Sequence, residues 1–415
     1  MSNFRPAKDF QDCMFRFFSS ALQLVLALFL ISSCSSKEPK KRTQERTKED
    51  DKSDSLLLVY DPAKADPRID AFMQKLHKTR GFNGNVLVAK KGQILYENAI
   101  GWADYLHRDS LTLNSRFELA SVSKTMTATA VLQLVEQGKI KLDQDVRDFF
   151  PDFPYTGITV RMLLCHRSGM MNYVYFIDGI WRKEHKNQSK GITNQEVMKV
   201  IAEKKPNPYT QPNRKFHYNN SNYMVLAAII EKASGKSYTE YMKENVFDPA
   251  GMKNTAVLSK ALYEKIPTDV VGHDRTWRYS VVQNFLDGPV GDKGIYSTVA
   301  DLLLFDYALK KERLLSKAWQ DSAYTGHNPT IRGHFNYGYG WRLFNGDGHQ
   351  VVYHTGWWHG FRHIYLRDLT ADVTIVLLSN LTNGSLLQLD ELFHIVGMPV
   401  VRKSAYTGAG ETSED

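Results

Sequence analysis

Cysteine is scarce in this chain. Cys13 and Cys34 fall in the N-terminal segment, so Cys165 stands alone in the remainder and no intramolecular disulfide can form there. No His/Cys cluster has zinc-ligand spacing and H-E-x-x-H is absent, so neither a metal nor another cofactor is expected. G-x-S-x-G is missing too, which speaks against an α/β-hydrolase with a Ser-His-Asp triad. The net charge of +8 comes from scattered Lys and Arg, not from a basic cluster, so nucleic acid is not an expected partner. The longest apolar run, from about Ala21 to Ile31, falls short of the roughly 20 residues that a membrane-crossing helix needs.

That short run, preceded by Arg16, suits the core of a signal peptide. It ends Ile31-Ser32-Ser33-Cys34, which resembles a bacterial lipobox. Residues 1–34 are therefore expected to be a lipoprotein signal peptide, with Cys34 lipidated and the acyl chains tethering the protein to a membrane of the cell envelope. Asp9 and Asp12 are unusual in such a leader, so Met14 is an alternative start. Residues 35–55 carry charges of both signs and almost no apolar side chains, the composition of a flexible tether. Residues 402–415 look like a disordered tail. The folded domain is expected over 56–401, long enough to bury a core without staples.

Residues 67–79 place Ile69, Phe72, Met73 and Leu76 at helical spacing. Residues 85–89 and 93–100 flank the turn Lys90-Lys91-Gly92, a hairpin signal. A helix is predicted from Ser121 to about Gln137, stopped by Gly138, and another from 222 to 233. Thr298 and Asp301 have capping-box spacing. Late strands are predicted at 337–344, 350–354, 361–366 and 373–378, then a helix over 385–395. Strands at both ends, without β-α-β alternation, predict an α+β fold. It would be an antiparallel sheet flanked by helices, with a mainly helical subdomain inserted between the sheet's two halves.

Three short motifs carry the candidate chemistry. Ser121-Val122-Ser123-Lys124 puts a hydroxyl and an amine one helical turn apart, on one face. A serine needs a base to become a nucleophile, and a lysine serves when its environment disfavours the ammonium form. Tyr218-Asn219-Asn220 precedes a predicted helix, and His354-Thr355-Gly356 ends a predicted strand. Each is weak alone. Their order is much more specific.

In that order the motifs resemble the β-lactamase and penicillin-binding-protein superfamily, in its class C-like branch of carboxypeptidases, D-amino-acid peptidases, esterases and β-lactamases. The stretches around Phe117–Lys124, Leu163–Gly169 and Gly294–Asp301 resemble the same branch, and the likeness spans about residues 65–395. The resemblance implies an acyl-enzyme serine hydrolase. Ser121 would attack, Lys124 would take its proton, and Tyr218 would shuttle a proton to the leaving group. Asn220 would bond the substrate's amide, and the strand bearing His354, Thr355 and Gly356 would lie along the substrate. The N–H groups of Ser121 and Trp357 would form an oxyanion hole, worth about 3 kcal/mol per donor.

One departure matters. Class A and C β-lactamases have Lys where this chain has His354, so the hold on a substrate carboxylate is expected to be weaker. A D-Ala-type peptide amide or a small ester, of peptidoglycan or other origin, therefore ranks above a β-lactam as substrate. A true class C-type β-lactamase and a non-catalytic cell-wall-binding lipoprotein are the alternatives. His166 and His217 are expected to be structural. Trp357, Trp358 and His359 either narrow the cleft or form a packed aromatic group.

Overall fold

Alternation at period two builds the first hairpin. Strands β1 (Gly84–Lys90) and β2 (Gln93–Ile100) turn at Lys91 and Gly92, whose φ angles are 52° and 73°. Two positive φ values match the twist of a tight hairpin. The computed structural model describes residues 46–184, 190–260, 270–275, 279–331 and 333–401. The expected signal peptide, Cys34 and the tail at 402–415 lie outside these residues.

The late strands are β3 (Phe335–Tyr337), β4 (Arg342–Gly346), β5 (His349–Trp358), β6 (Phe361–Asp368) and β7 (Val373–Ser379). With the hairpin they form one seven-stranded sheet in the order β2-β1-β7-β6-β5-β4-β3. All neighbours are antiparallel, and β1 joins β7 from Gly84↔Ser379 to Lys90↔Val373. Strands from the two ends of the domain thus close one sheet, and the intervening chain is inserted between β2 and β3. The predicted α+β architecture is the observed one.

Both faces of the sheet are covered, which is why β7 is buried along its whole length and reads as a continuous apolar run. On one face, Val86, Val88, Ile375 and Leu377 meet helix α2 (Pro67–Arg80) through Ile69, Phe72, Met73 and Leu76. On the other, Leu87, Ala89, Val376 and Leu378 belong to the larger core that contains helix α3 (Ser123–Glu136) and helix α4 (Asn220–Ser234). Nearly every α3 side chain is buried, so this helix is central and not amphipathic. Asn219 caps the start of α4, and Gly235, at φ 71°, ends it.

Several boundaries differ from expectation. The strand expected at 337–344 is split into β3 and β4, and the one expected at 350–354 does not end at His354 but runs on through Gly356 to Trp358. Residues 48–55, read as tether, belong to an ordered helix α1 (Lys48–Leu57) that opens with a Thr47–Asp50 capping box. One of its charges is buried and paired: Asp54 accepts from Arg46 (2.6 Å) and from Arg313 of the main body (2.9 Å). The ordered domain therefore begins at least ten residues earlier. Ser121 does not start α3 but sits in a preceding 3-10 turn, Ala120–Val122. The Thr298 box is half-formed. Thr298 caps Asp301 N–H at 3.2 Å, while the Asp301 carboxylate turns to Asn254 and Thr255. The last helix is a 3-10 turn (Ser385–Leu387) followed by α5 (Asp390–Val396).

Candidate active site

The nucleophile candidate lies where a strand breaks sharply into a helix. Phe117–Glu118 pairs with Ile295–Ser297, and the chain then reverses at Ala120, whose φ is +50°. An L-residue in this left-handed region costs about 1–2 kcal/mol. The turn leaves Ser121 half-buried and turns Lys124, one helical turn on, into the interior.

Lys124 is fully buried. Its Nζ lies 2.7 Å from Ser121 Oγ, 2.9 Å from Asn220 Oδ1 and 2.9 Å from the Asp292 carbonyl oxygen. Two of these partners are carbonyl oxygens, which only accept. A neutral amine gives them its two N–H groups, and its lone pair then faces the serine hydroxyl. Such an arrangement can remove the Ser121 proton. Asn220 has spent its oxygen on Lys124, so its Nδ2 donor is the atom that can reach a substrate carbonyl.

Tyr218 packs against the same amine, its ring centre 5.1 Å from Lys124 Nζ. Its ring also lies 4.4 Å from that of His166 and 6.1 Å from that of His354. The three motifs, about a hundred residues or more apart in the chain, therefore converge.

His354 is enclosed. Burial, then the charges of Arg342 and Lys124, hold its imidazole well below the usual range. Its Nδ1 donates to the Thr355 carbonyl (2.7 Å), so its Nε2 accepts from Tyr337 Oη (3.1 Å). Tyr337 Oη in turn accepts from His166 Nε2 (3.2 Å), whose Nδ1 accepts from Asn219 N–H (3.1 Å). This is one hydrogen-bonded chain through two uncharged imidazoles. His166 is a buried member of it, and burial keeps it neutral too. His217 turns aside onto Tyr209, 4.7 Å away.

Gly356 explains itself by proximity. A Cβ there would fall 2.5 Å from Leu119 O and 3.2 Å from Ala120 Cβ, so only glycine lets β5 pass the nucleophile turn. Pairing of β5 with β4 stops at Tyr353↔Arg342, and 354–358 are paired on the β6 side alone. Thr355 and Trp357 are half-buried on this stretch. Trp358 is tied down by packing: Nε1 donates to Asp287 (2.5 Å) and its ring stacks on His359.

Sequence motifs missed several groups here. Arg342 lies over the Tyr218 ring at 5.1 Å and supplies a permanent cation beside His354. Lys293 is buried against Tyr173 and Trp358. The Asp292 contribution is a backbone carbonyl, which no motif encodes. Among the described residues, no group of three or more His, Cys, Asp or Glu is disposed to hold a metal ion.

The sequence profile of the Beta-lactamase family matches residues 69–393. This chain belongs to the Beta-lactamase family. Membership makes it a serine hydrolase. It is 35% identical over 328 residues to penicillin-binding protein 4* of Bacillus subtilis, covering 74% of this chain and 71% of that protein. It is 28% identical over 262 residues to the teichoic acid D-alanine hydrolase of Staphylococcus aureus, covering 62% and 61%. The fold is similar to a penicillin-binding protein of Bacillus halodurans (TM-score 0.68, 24% identity, 78% of this chain and 98% of that one). It is also similar to the D-amino acid amidase of Ochrobactrum anthropi (TM-score 0.66, 23% identity, 80% and 99%). In this Beta-lactamase-family site, neutral histidines occupy positions where a fixed charge could have stood.

The histidines make the fold acid-sensitive. His166, His354 and His363 are all fully buried with depressed pKa values, His363 at about 4. A depressed base keeps its stabilising effect above the unfolded pKa and loses it as pH falls towards the folded one. For His363 the loss between pH 6.5 and 5 is about 2 kcal/mol. Urea midpoints should fall steeply over that interval, and His363→Gln should flatten part of the fall.

Proposed function

We propose that this chain hydrolyses a D-Ala-type amide or a small ester through an acyl-enzyme on Ser121. The observation that carries this reading is Lys124 Nζ at 2.7 Å from Ser121 Oγ, with two carbonyl acceptors taking its other valences. Lys124 takes the hydroxyl proton as Oγ attacks the substrate carbonyl carbon. The N–H groups of Ser121 and Trp357 hold the developing oxyanion. Tyr218, beside Lys124, relays the proton to the departing amine or alcohol. A water molecule, activated by the same groups, then hydrolyses the ester on Ser121. The substrate lies along residues 354–358 of β5, with its carbonyl on Asn220 Nδ2.

The substrate class is supported by two relatives whose names specify D-alanine or D-amino acid derivatives. Electrostatics adds to this. His354 is neutral, so a substrate carboxylate is held by Arg342, whose charge does not titrate in the working range.

A fluorophosphonate or fluorescent penicillin should label the wild type, fail on Ser121→Ala, and react about a hundredfold or more slowly with Lys124→Ala. Label retained in Ser121→Ala removes the proposal. With acidic D-Ala peptides, Arg342→Gln should raise KM about tenfold and leave neutral nitrophenyl esters within twofold. Equal losses on both would place Arg342 elsewhere in the mechanism.

The envelope location follows from Cys34 by the same kind of reading. Cys34 is lipidated, α1 begins shortly after it at Lys48, and the hydrolase works outside the cytoplasm on a membrane-bound tether. Mass spectrometry of the membrane fraction should find a diacylglyceryl adduct on a peptide beginning at Cys34, absent in Cys34→Ala. A mature protein beginning elsewhere would rule this out.

A further inference from the structure

Glu118 stands three residues before the candidate nucleophile and is 3% exposed. Its carboxylate makes two bonds, both to backbone donors on segments the catalytic pair depends on. One oxygen accepts Ala120 N–H at 2.7 Å, and the other accepts Gly294 N–H at 2.7 Å. Ala120 is the residue in the left-handed conformation that turns the chain into Ser121. Gly294 lies two residues after Asp292, whose carbonyl oxygen holds Lys124 Nζ. A closed circuit results: Ser121, Ala120, Glu118, Gly294, Asp292, Lys124 and back to Ser121 Oγ.

We propose that Glu118 is a positioning residue for acyl-enzyme formation, its carboxylate tying the strained turn that carries Ser121 to the loop that holds Lys124. This rests on the reading of Ser121 as nucleophile. The Glu118 carboxyl bonds Ala120 and Gly294, not the serine hydroxyl or the lysine amine. It acts through the two backbone segments.

Chemistry selects a carboxylate here. Both partners are N–H donors, so both oxygens must accept, which the two oxygens of a carboxyl group can do. A glutamine would face one N–H with its own NH2 group. The backbone of residue 118 is held separately, by pairing with Tyr296 and by His363 Nε2 on its carbonyl (2.6 Å). The local fold therefore does not depend on the side chain alone. The charged groups facing the carboxylate are Asp287, which opposes its ionisation, and Lys293, which favours it. Burial, the largest cause, acts with Asp287 to outweigh Lys293 and the two backbone donors, and raises its pKa to about 8.

Single-turnover acylation by a nitrophenyl ester tests the proposal, with fluorophosphonate labelling as a count of competent sites. Glu118→Gln should label to the same stoichiometry as wild type, with an acylation rate constant lower by about 10- to 100-fold, the penalty of a misplaced reacting group. Half-saturation for the ester should stay within twofold. Glu118→Asp keeps the carboxyl group but is a methylene too short to span both donors, so it should also be slow. Adding Ala120→Gly to Glu118→Gln should recover part of the rate, because glycine adopts the turn's φ without a tie. A Gln variant within twofold of wild type overturns the proposal, as does an Asp variant at full rate or a Gln defect that Ala120→Gly leaves untouched. Labelling that survives in Ser121→Ala would instead remove the underlying nucleophile assignment, a result separable from all of these.

Discussion

A buried lysine must place every hydrogen and its lone pair, and the site is organised around that demand. Lys124 has no solvent to turn to. Its partners come from three segments: the Ser121 hydroxyl in the turn before α3, a side chain at the start of α4, and a loop carbonyl at Asp292. Each of those segments is fixed by packing of its own. The capped start of α4 sets Asn220, and the short sheet through Ile295–Ser297 sets the loop. An amine held by two carbonyl oxygens and one hydroxyl has little freedom left except to exchange a proton with that hydroxyl.

The main sheet supplies the other wall. Because β1 closes against β7, the late strands are held rigidly from both sides, and β5 can run past the nucleophile turn at a distance only glycine permits. Behind β5, His354, Tyr337 and His166 pass hydrogen bonds among themselves as neutral groups. Low dielectric there would penalise a charge. The permanent charge near the substrate path is instead that of Arg342, beside the Tyr218 ring. This division, a neutral buried layer behind and a fixed cation in front, keeps the site's field insensitive to the histidines.

Local pattern revealed the elements whose fate is decided locally. The hairpin was legible because two adjacent residues had to accept positive φ, and α2 because its apolar side chains repeat at helical spacing along a half-buried face. Helix α1 was not legible, since its stability comes from Arg313, more than 250 residues away in sequence. The start of α3 was misplaced by two residues for a similar reason: Ala120 is forced into its turn by contacts with β5 and with Glu118. Arg342 and Glu118 carry no motif, and their importance lies in what they face.

The sequence by itself determined the covalent inventory: one hydroxyl-amine pair at helical spacing, a tyrosine and an asparagine two residues apart, and a glycine directly after a His-Thr pair. It determined the period-two and helical patterns that build a mixed sheet-and-helix domain. Only the tertiary structure decided that Lys124 is dry, that His354 is neutral, and that a backbone carbonyl and a neighbouring strand's arginine complete the site. Spacing along a chain constrains contacts within a few residues. Burial, protonation and backbone acceptors depend on segments hundreds of residues apart, which only the closed sheet brings together.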